Sequence, residues 1–542
     1  MNKPQYIIAT GDCETDPFET DVIPKPFVWG FYSEAEGYCH FWGLGNTREA
    51  QEQSCKEQFV SFLMSLDKPH KIYMHNGGKF DFMFLIPYCD GRMKIVNGRI
   101  LEMHIGPHCL RDSFAVMPFS LSTYKKDDID YQKLAFGVRQ KNRSEIVHYL
   151  RGDCTYLFEM VSAYRKEFGD VLTVGSAAMH ALRADHPFDE FTQEQDTFFR
   201  RFYYGGRNQC FDAGIIKGDW KVYDKNSMYP DCMRRMSHPV SNSVSESSVL
   251  TNETDFVIVD GRNYGGLPSK LQSGFLDFTV ESGTFYVSGH ELRAALDTGT
   301  FEIARIQNAY TFSKRTTFET FVDRWYSARL AMKDAGEKLL ALFFKYILNS
   351  AYGKFCLNPD NFKDWMITEQ GEYLDDSEWN LEIENGEYML WAKPSPQTRY
   401  FNCATGASIT GAARSELLRG LASADRPVYC DTDSIICEAL RGDIDSKKLG
   451  AWKLEATGDE IAIAGKKLYA LFDKNEVVMD ENNKPKQASK GSRLTAQDIR
   501  NVAEGRVVRY VNPVPAFKLD GNHIFINRNI RRTAFNVKPF GE

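Results

Sequence analysis

The stretch YCDTDSI, Tyr429 to Ile435, sets Asp431 and Asp433 two residues apart between apolar flanks. In extended backbone, residues i and i+2 point to one face, so the spacing predicts two carboxylates able to reach one divalent ion. The plain alternative is a solvated acidic turn, and the apolar neighbours argue against it. A fold built around such a pair needs a third carboxylate, cations for phosphate and a flat surface for a nucleotide if it is to support two-metal phosphoryl transfer.

The chain supplies each of these. YDKNSMYP, residues 223–230, brings Asp224 to the end of an apolar strand, with Tyr229 five residues on. KYILNSAYG spaces Lys345, Asn349 and Tyr352 or Gly353 so that they share one helix face. A cation, an amide and a ring beside a small residue suit a nucleoside triphosphate, although such a stripe is also what a buried amphipathic helix presents. Hard oxygen ligands favour Mg²⁺ or Mn²⁺, two ions per active site, over zinc.

A second acidic set lies near the start. GDCETD gives Asp12 and Glu14, HNGGKFDFMFL gives Asn76, Phe80 and Asp81, and HYLRGD gives Tyr149 and Asp153 one helical turn apart. Each acid alone could sit on a solvated surface. Together, four carboxylates and a tyrosine form a kit for two-metal hydrolysis of a phosphodiester, the phenol orienting the attacking water.

At 542 residues the chain exceeds what one core sustains and divides into several domains. Its net charge of −7 does not advertise a nucleic-acid binder. From Lys484 to Glu542, however, twelve Lys/Arg face four Asp/Glu, a local basic footprint. The twelve cysteines include no C-x-x-C pair, which excludes common zinc ribbons and predicts free thiols in a reducing compartment. Neither a signal peptide nor an 18-residue apolar run is present, so the expected location is the cytoplasm, without membrane attachment.

Strand-like runs at YIIATGD, FVWGFYS and KIYMHN alternate with helical patterns at 48–66 and 141–168, which predicts a mixed α/β domain over residues 1–185. Asn97-Gly98 and Asn385-Gly386 are hairpin signals, the first of the type I′ kind. FYYGGRNQCF, residues 202–211, reads as a glycine-hinged connection, and residues 317–354 as helical.

In these blocks the chain resembles the family B DNA polymerases, whose signatures Asp-x-x-Ser-Leu-Tyr-Pro, Lys-x-x-x-Asn-Ser-x-Tyr-Gly and Tyr-x-Asp-Thr-Asp-Ser occur here in order, with Met228 in place of leucine. The resemblance implies that Asp224 and Asp433 are catalytic metal ligands supported by Asp431. It implies that Tyr229 packs under the sugar and excludes a 2′-hydroxyl, that Lys345 holds the triphosphate, and that Asn349 and Tyr352 shape the nucleotide pocket. KKLYAL places Lys467 and Tyr469 in a Lys-x-Tyr pattern that positions the primer end, and Thr410 and Arg414 match a Thr-x-x-Ala-Arg element that contacts DNA backbone. The N-terminal set resembles the 3′–5′ proofreading exonucleases, with Asp12, Glu14, Asp81 and Asp153 as metal ligands, Tyr149 as orienter, and Asn76 and Phe80 as single-strand contacts.

The implied architecture is α/β and α+β multidomain: a ribonuclease H-like exonuclease domain and a right-hand palm, fingers and thumb with two inserts. Exonuclease 1–185 is followed by a linker at 186–215 and a polymerase domain at 216–542. The palm occupies 216–235 and 396–475, the first insert 236–316, the fingers 317–355, the second insert 356–395 and the thumb 485–542. Inserts at these two places resemble the protein-primed branch, of phage, tectivirus or linear-plasmid type. That branch grips a terminal protein with one insert and encircles DNA with the other. Tyr203, Gly205 and Gly206 match its Tyr-x-Gly-Gly linker. Ser113, before Phe114 where leucine is usual, matches its terminal-protein and single-strand segment.

The expected activity is DNA-templated synthesis with proofreading and strand displacement by a monomer. Its expected partners are template and primer DNA, deoxynucleoside triphosphates and a terminal protein. The competing readings are a polymerase extending ordinary primers, and a nuclease or DNA-binding protein with a degenerate polymerase half.

Overall fold

The computed structural model describes residues 5–16, 23–271, 274–358, 362–395, 400–512, 515–533 and 537–541. The expected start of the second palm segment, at 396, lies outside them.

The N-terminal sheet grows from the strand Ile7–Thr15, which pairs antiparallel with Pro26–Ser33 and parallel with His70–Met74. Gly37–Trp42 closes one edge. On the other side follow His108–Asp112, Arg99–Ile105 and Gly91–Val96. The expected hairpin is present: Val96 pairs with Arg99 across Asn97 and Gly98, both at positive φ (51° and 67°), as a type I′ turn requires. Helix Arg143–Phe168 crosses the first two strands so closely that a Cβ on Gly30 would lie 2.9 Å from Leu150 and Cys154. The Thr10 hydroxyl donates to the Cys154 carbonyl at 2.7 Å and fixes the same crossing.

This sheet does not end at Gly91–Val96. Lys363–Glu369, from the second insert, pairs with it through Trp365 and Met93, and Tyr388–Pro394 and Asn380–Glu384 follow, for ten strands in all. Ile367, Tyr388 and Leu390 thereby enter the same apolar core as Trp29, Ile72 and Leu110. The Asn385-Gly386 hairpin forms as expected, the Asn385 carboxamide accepting from the amides of Glu387 and Tyr388.

The palm is an eight-stranded sheet centred on Gly214–Lys225 between Ser434–Cys437 and Trp452–Gly465. Residues 202–211 are more than a hinge, because Asn208–Cys210 is the sheet's edge strand, paired with Tyr429–Asp431. The first insert folds as a separate four-stranded sheet with helix Gly289–Asp297 on it. The helical region 317–354 is two antiparallel helices, Glu319–Asp334 and Lys338–Phe355; Gly336, at φ 78°, turns the chain between them. Helix Ala496–Ala503 packs on the palm through Ile499 and Val502.

One apolar core runs from Leu157 and Tyr164 through Phe199 and Phe202 to Met228, Phe343 and Ala407, so the N-terminal and C-terminal halves share an interior. The twelve cysteines are free thiols. Among the described residues no helix is long and apolar enough to cross a membrane.

Candidate active site

Asp224 ends its strand directly beside Ser434, which brings it next to the turn that carries Asp433. That turn corrects one expectation. Asp431 and Asp433 do not share a strand face: Asp431 pairs with Ser434, and Thr432 and Asp433 form the tight connection between them. Thr432 is left-handed (φ 62°), and the Asp433 amide donates to the Asp431 carbonyl at 2.7 Å. A two-residue hairpin reproduces the acid spacing of a strand, and apolar flanks suit the paired strands of either arrangement.

The two positions diverge in consequence. Both Asp431 oxygens accept from the Lys467 ammonium at 2.8 Å, whereas Asp433 lies near enough to Asp224 for its charge to act on it. Desolvation, then Asp433 and Glu455, push the Asp224 carboxyl up to about 7. Desolvation and the Asp431 and Glu455 charges push Asp433 up to about 6.

The fingers face this pair. Lys345, Asn349 and Gly353 line the open side of their helix as the spacing predicted, with Tyr352 half-buried. Burial and neighbouring Arg329 pull the Lys345 ammonium down, while Asp224 and Asp433 pull it up. Arg329 escaped the sequence reading because it stands on the other fingers helix, with no motif around it. Its guanidinium reaches the Ser227 hydroxyl at 3.4 Å.

In the N-terminal centre, Asp12, Glu14 and Asp153 bring ligand oxygens within 4.8 Å of one another. Burial, reinforced by Asp153, lifts Glu14 to about 8, and burial with the surrounding acids lifts Asp12 well above the carboxylate range. Asp81 is close enough to contribute to that rise, yet it lies outside the tight group: its Oδ1 accepts from the Cys13 thiol at 3.1 Å. Burial alone accounts for most of its own rise to about 6. Tyr149 is buried beside Asp153. Lys126, another residue without a motif, sits 3.5 Å from Asp153 Oδ2 and over the Tyr149 ring.

Both donor sets fit a hard divalent cation. All donors are carboxylate oxygens, their mutual repulsion in a desolvated site is what a cation relieves, and Asp153 Oδ1 is buried with no hydrogen-bond partner.

The expected DNA contacts fare unevenly. Asn76 and Phe80 flank the N-terminal centre; Arg99 donates to the Asn76 carboxamide at 2.9 Å, and the Phe517 ring meets Phe80 edge-on at 5.2 Å. Ser113 is fully buried, bonded to the His75 ring and the Met74 carbonyl. Thr410 is buried and bonds within its own helix. Arg414, also buried, donates to Glu291 at 2.7 and 3.0 Å and to the carbonyls of Tyr204 and Gly205. It therefore fastens the Tyr-x-Gly-Gly segment to the first insert. A pattern of residue types cannot tell a backbone-binding arginine from a buried ion pair. Tyr203 is half-buried, Gly205 exposed, and Tyr469 buried under Tyr429.

A palm sheet carrying the half-buried pair Asp224 and Asp433, roofed by a two-helix fingers element and joined to a second sheet with its own acids, has the layout of a right-hand nucleic-acid polymerase. Residues 124–441 match the family DNA polymerase type B, organellar and viral. The DNA-directed DNA polymerase of Enterobacteria phage PRD1 is 47% identical over 98% of this chain and 99% of its own length. The DNA polymerase of Bacillus phage phi29 is 24% identical over 80% of this chain and 83% of its own. Phi29 DNA polymerase complexed with primer-template DNA superposes with a TM-score of 0.74 at 19% identity, covering 98% of this chain and 100% of that one. Its ternary complex with primer-template DNA and incoming nucleotides superposes at 0.73. The chain belongs to the family B DNA polymerases of the organellar and viral type, and it is a DNA-directed DNA polymerase.

Proposed function

We propose that this polymerase replicates a linear genome from a terminal-protein primer in the cytoplasm of a host cell, displaces the strand ahead of it, and removes mismatched 3′ ends with its N-terminal domain. The observation that carries the dual activity is the presence of two separate acid centres, each partly shielded from solvent and backed by its own cation: Lys345 near Asp224 and Asp433, and Lys126 on Asp153. Asp224 and Asp433 would hold the ions of synthesis, and Asp12, Glu14, Asp81 and Asp153 those of degradation. Bound Mg²⁺ or Mn²⁺ supplies Lewis-acid stabilisation of charge on the phosphoryl oxygens.

The chain's own groups do the rest. Lys345 and Arg329 neutralise triphosphate charge, Tyr229 and Tyr352 form the surface for base and sugar, and Asn349 completes the pocket. Lys467 positions the primer end from beside Asp431, and Tyr149 orients water in the second centre. Lys126 offsets the negative charge there.

Strand displacement is supported by a pocket of about 720 Å³ between the fingers, the N-terminal sheet and the second insert, lined by Lys94, Lys354 and Lys363 and read here as a template channel. A single template strand threaded there would leave its complement outside. Protein priming is supported by the placement of the two inserts and by the 47% relative from a phage.

The test is incubation of the enzyme with labelled deoxynucleotide, Mg²⁺ and the protein encoded next to it. A covalent protein–nucleotide adduct that extends into product supports the reading. Extension of nucleic-acid primers with no adduct refutes protein priming. On primed single-stranded circles, Lys94→Glu with Lys363→Glu should stall synthesis where it meets duplex, and products unchanged past that point would refute the channel assignment.

A further inference from the structure

Arg207 follows the Tyr-x-Gly-Gly segment and is 1% exposed, yet among the described residues no carboxylate pairs with it. Its Nε and Nη2 donate to the Gln209 carboxamide at 3.1 and 2.7 Å, and Nη1 is left without an oxygen or nitrogen partner, beside the Cys430 sulfur. The guanidinium instead lies over three rings: Phe278 of the first insert at 4.1 Å, Phe211 of the palm at 5.6 Å and Phe540 of the C-terminal segment at 5.7 Å. Desolvation pulls it down to about 10. A buried cation without a counter-ion is costly, and cation–π contact offsets only part of that cost.

What the arrangement holds is the catalytic turn. The Arg207 carbonyl accepts from the Thr432 amide at 2.7 Å, between Asp431 and Asp433. Gly206 lies against the same residue, so that a Cβ there would stand 2.7 Å from the Thr432 hydroxyl. The strand that starts at Asn208 then pairs with Tyr429–Asp431. Thr432 is left-handed, a conformation a threonine adopts only where its surroundings impose it.

We propose that Arg207 is a positioning residue of the polymerase centre, the link through which the first insert and the C-terminal segment set the turn bearing Asp431 and Asp433. The guanidinium is buried inside the fold, away from solvent. Its caged side chain fixes the peptide whose oxygen holds Thr432, and the orientation of both acids follows. The inference rests on the polymerase activity alone and is independent of the priming mode.

The test compares Arg207→Met and Phe278→Ala, singly and combined, in the full chain, by single-nucleotide incorporation on a primed template. The expected result is a kcat at least about tenfold lower for each single variant. KM for the nucleotide should stay within about twofold, and the Mg²⁺ concentration for half-maximal rate should rise. Because both changes break one link, the double variant should be no slower than the worse single one. If Arg207→Met does not fold, Phe278→Ala and Phe540→Ala carry the same expectation. A kcat and Mg²⁺ dependence at the parent value in Phe278→Ala, with only the melting temperature lowered, would overturn the proposal. So would losses that multiply in the double variant.

Discussion

Tyr229, from the palm, and Tyr352, from the fingers, stack face to face with ring centroids 4.3 Å apart and planes 4° from parallel. The contact joins palm to fingers at the surface proposed above for sugar and base. Loss of the Tyr352 ring should therefore weaken nucleotide binding more than chemistry: Tyr352→Ala is expected to raise KM about tenfold, worth about 1.4 kcal/mol. Tyr229→Val, which removes the ring beneath the sugar, should raise incorporation of ribonucleotides relative to deoxynucleotides. Competition assays with paired nucleotides measure both.

Asp433→Asn should lower primer extension by about three orders of magnitude while 3′ degradation of single strands continues. Survival of extension would remove Asp433 from the metal ligands. Asp431→Asn is expected to be milder, since that carboxylate is already engaged through both oxygens by Lys467.

Asp12→Ala should produce the mirror image: extension retained, degradation of a mismatched 3′ end lost. Lys126→Ala should reduce degradation without touching extension, because its partner Asp153 belongs to the N-terminal centre. Timed digestion of a labelled oligonucleotide reads both.

Arg414→Met strands Glu291 in a buried site, and such a broken pair costs about 3–5 kcal/mol. A lowered thermal midpoint is expected, partly restored by adding Glu291→Gln. A DNA-contact role would predict instead weaker DNA binding at unchanged stability.

His238 is fully buried and held neutral, accepting from Ser408 at 2.9 Å while its Nε2–H donates to the Cys232 carbonyl at 3.1 Å. Desolvation and His290 pull it from 6.5 down to about 3. The unfolded chain therefore takes up a proton that the folded one refuses. Stability contributed by neutral His238 is complete above pH ~6.5 and falls by up to about 1.4 kcal/mol per pH unit below it. His238→Gln, which keeps a donor, should flatten the acid side of the melting-temperature profile; an unchanged slope between about pH 6.5 and 5 would assign the acid sensitivity elsewhere.

Both acid centres were legible in the sequence because each motif keeps its ligands within one strand, one turn of helix or one short loop. The fold brings Asp224, Lys345 and Asp433 of the polymerase signatures near one another, and both Asn-Gly hairpins formed where their turn chemistry demands them. What escaped were relations between distant segments. The i, i+2 spacing of Asp431 and Asp433 could not separate a strand from a two-residue hairpin. Ser113, Thr410 and Arg414 are bonded in the folded chain to partners 38, 3 and 123 residues away, which their motifs do not announce. Lys126 and Arg329 reach their sites from elements with no signature of their own. The strand pairing of Trp365 with Met93 has no local signal at all.

That last pairing bears on how such an enzyme can be re-engineered or diversified. Because the strands between Lys363 and Pro394 complete the sheet begun by Ile7–Thr15 and fill its core with Ile367 and Leu390, the insert is not a detachable appendage of the polymerase half. A chimera that swaps the N-terminal domain alone would leave an open sheet edge and an unmatched apolar face. Grafts between relatives should succeed only when residues flanking Trp365 travel with those flanking Met93, two stretches far apart in the gene that behave as a single unit of inheritance.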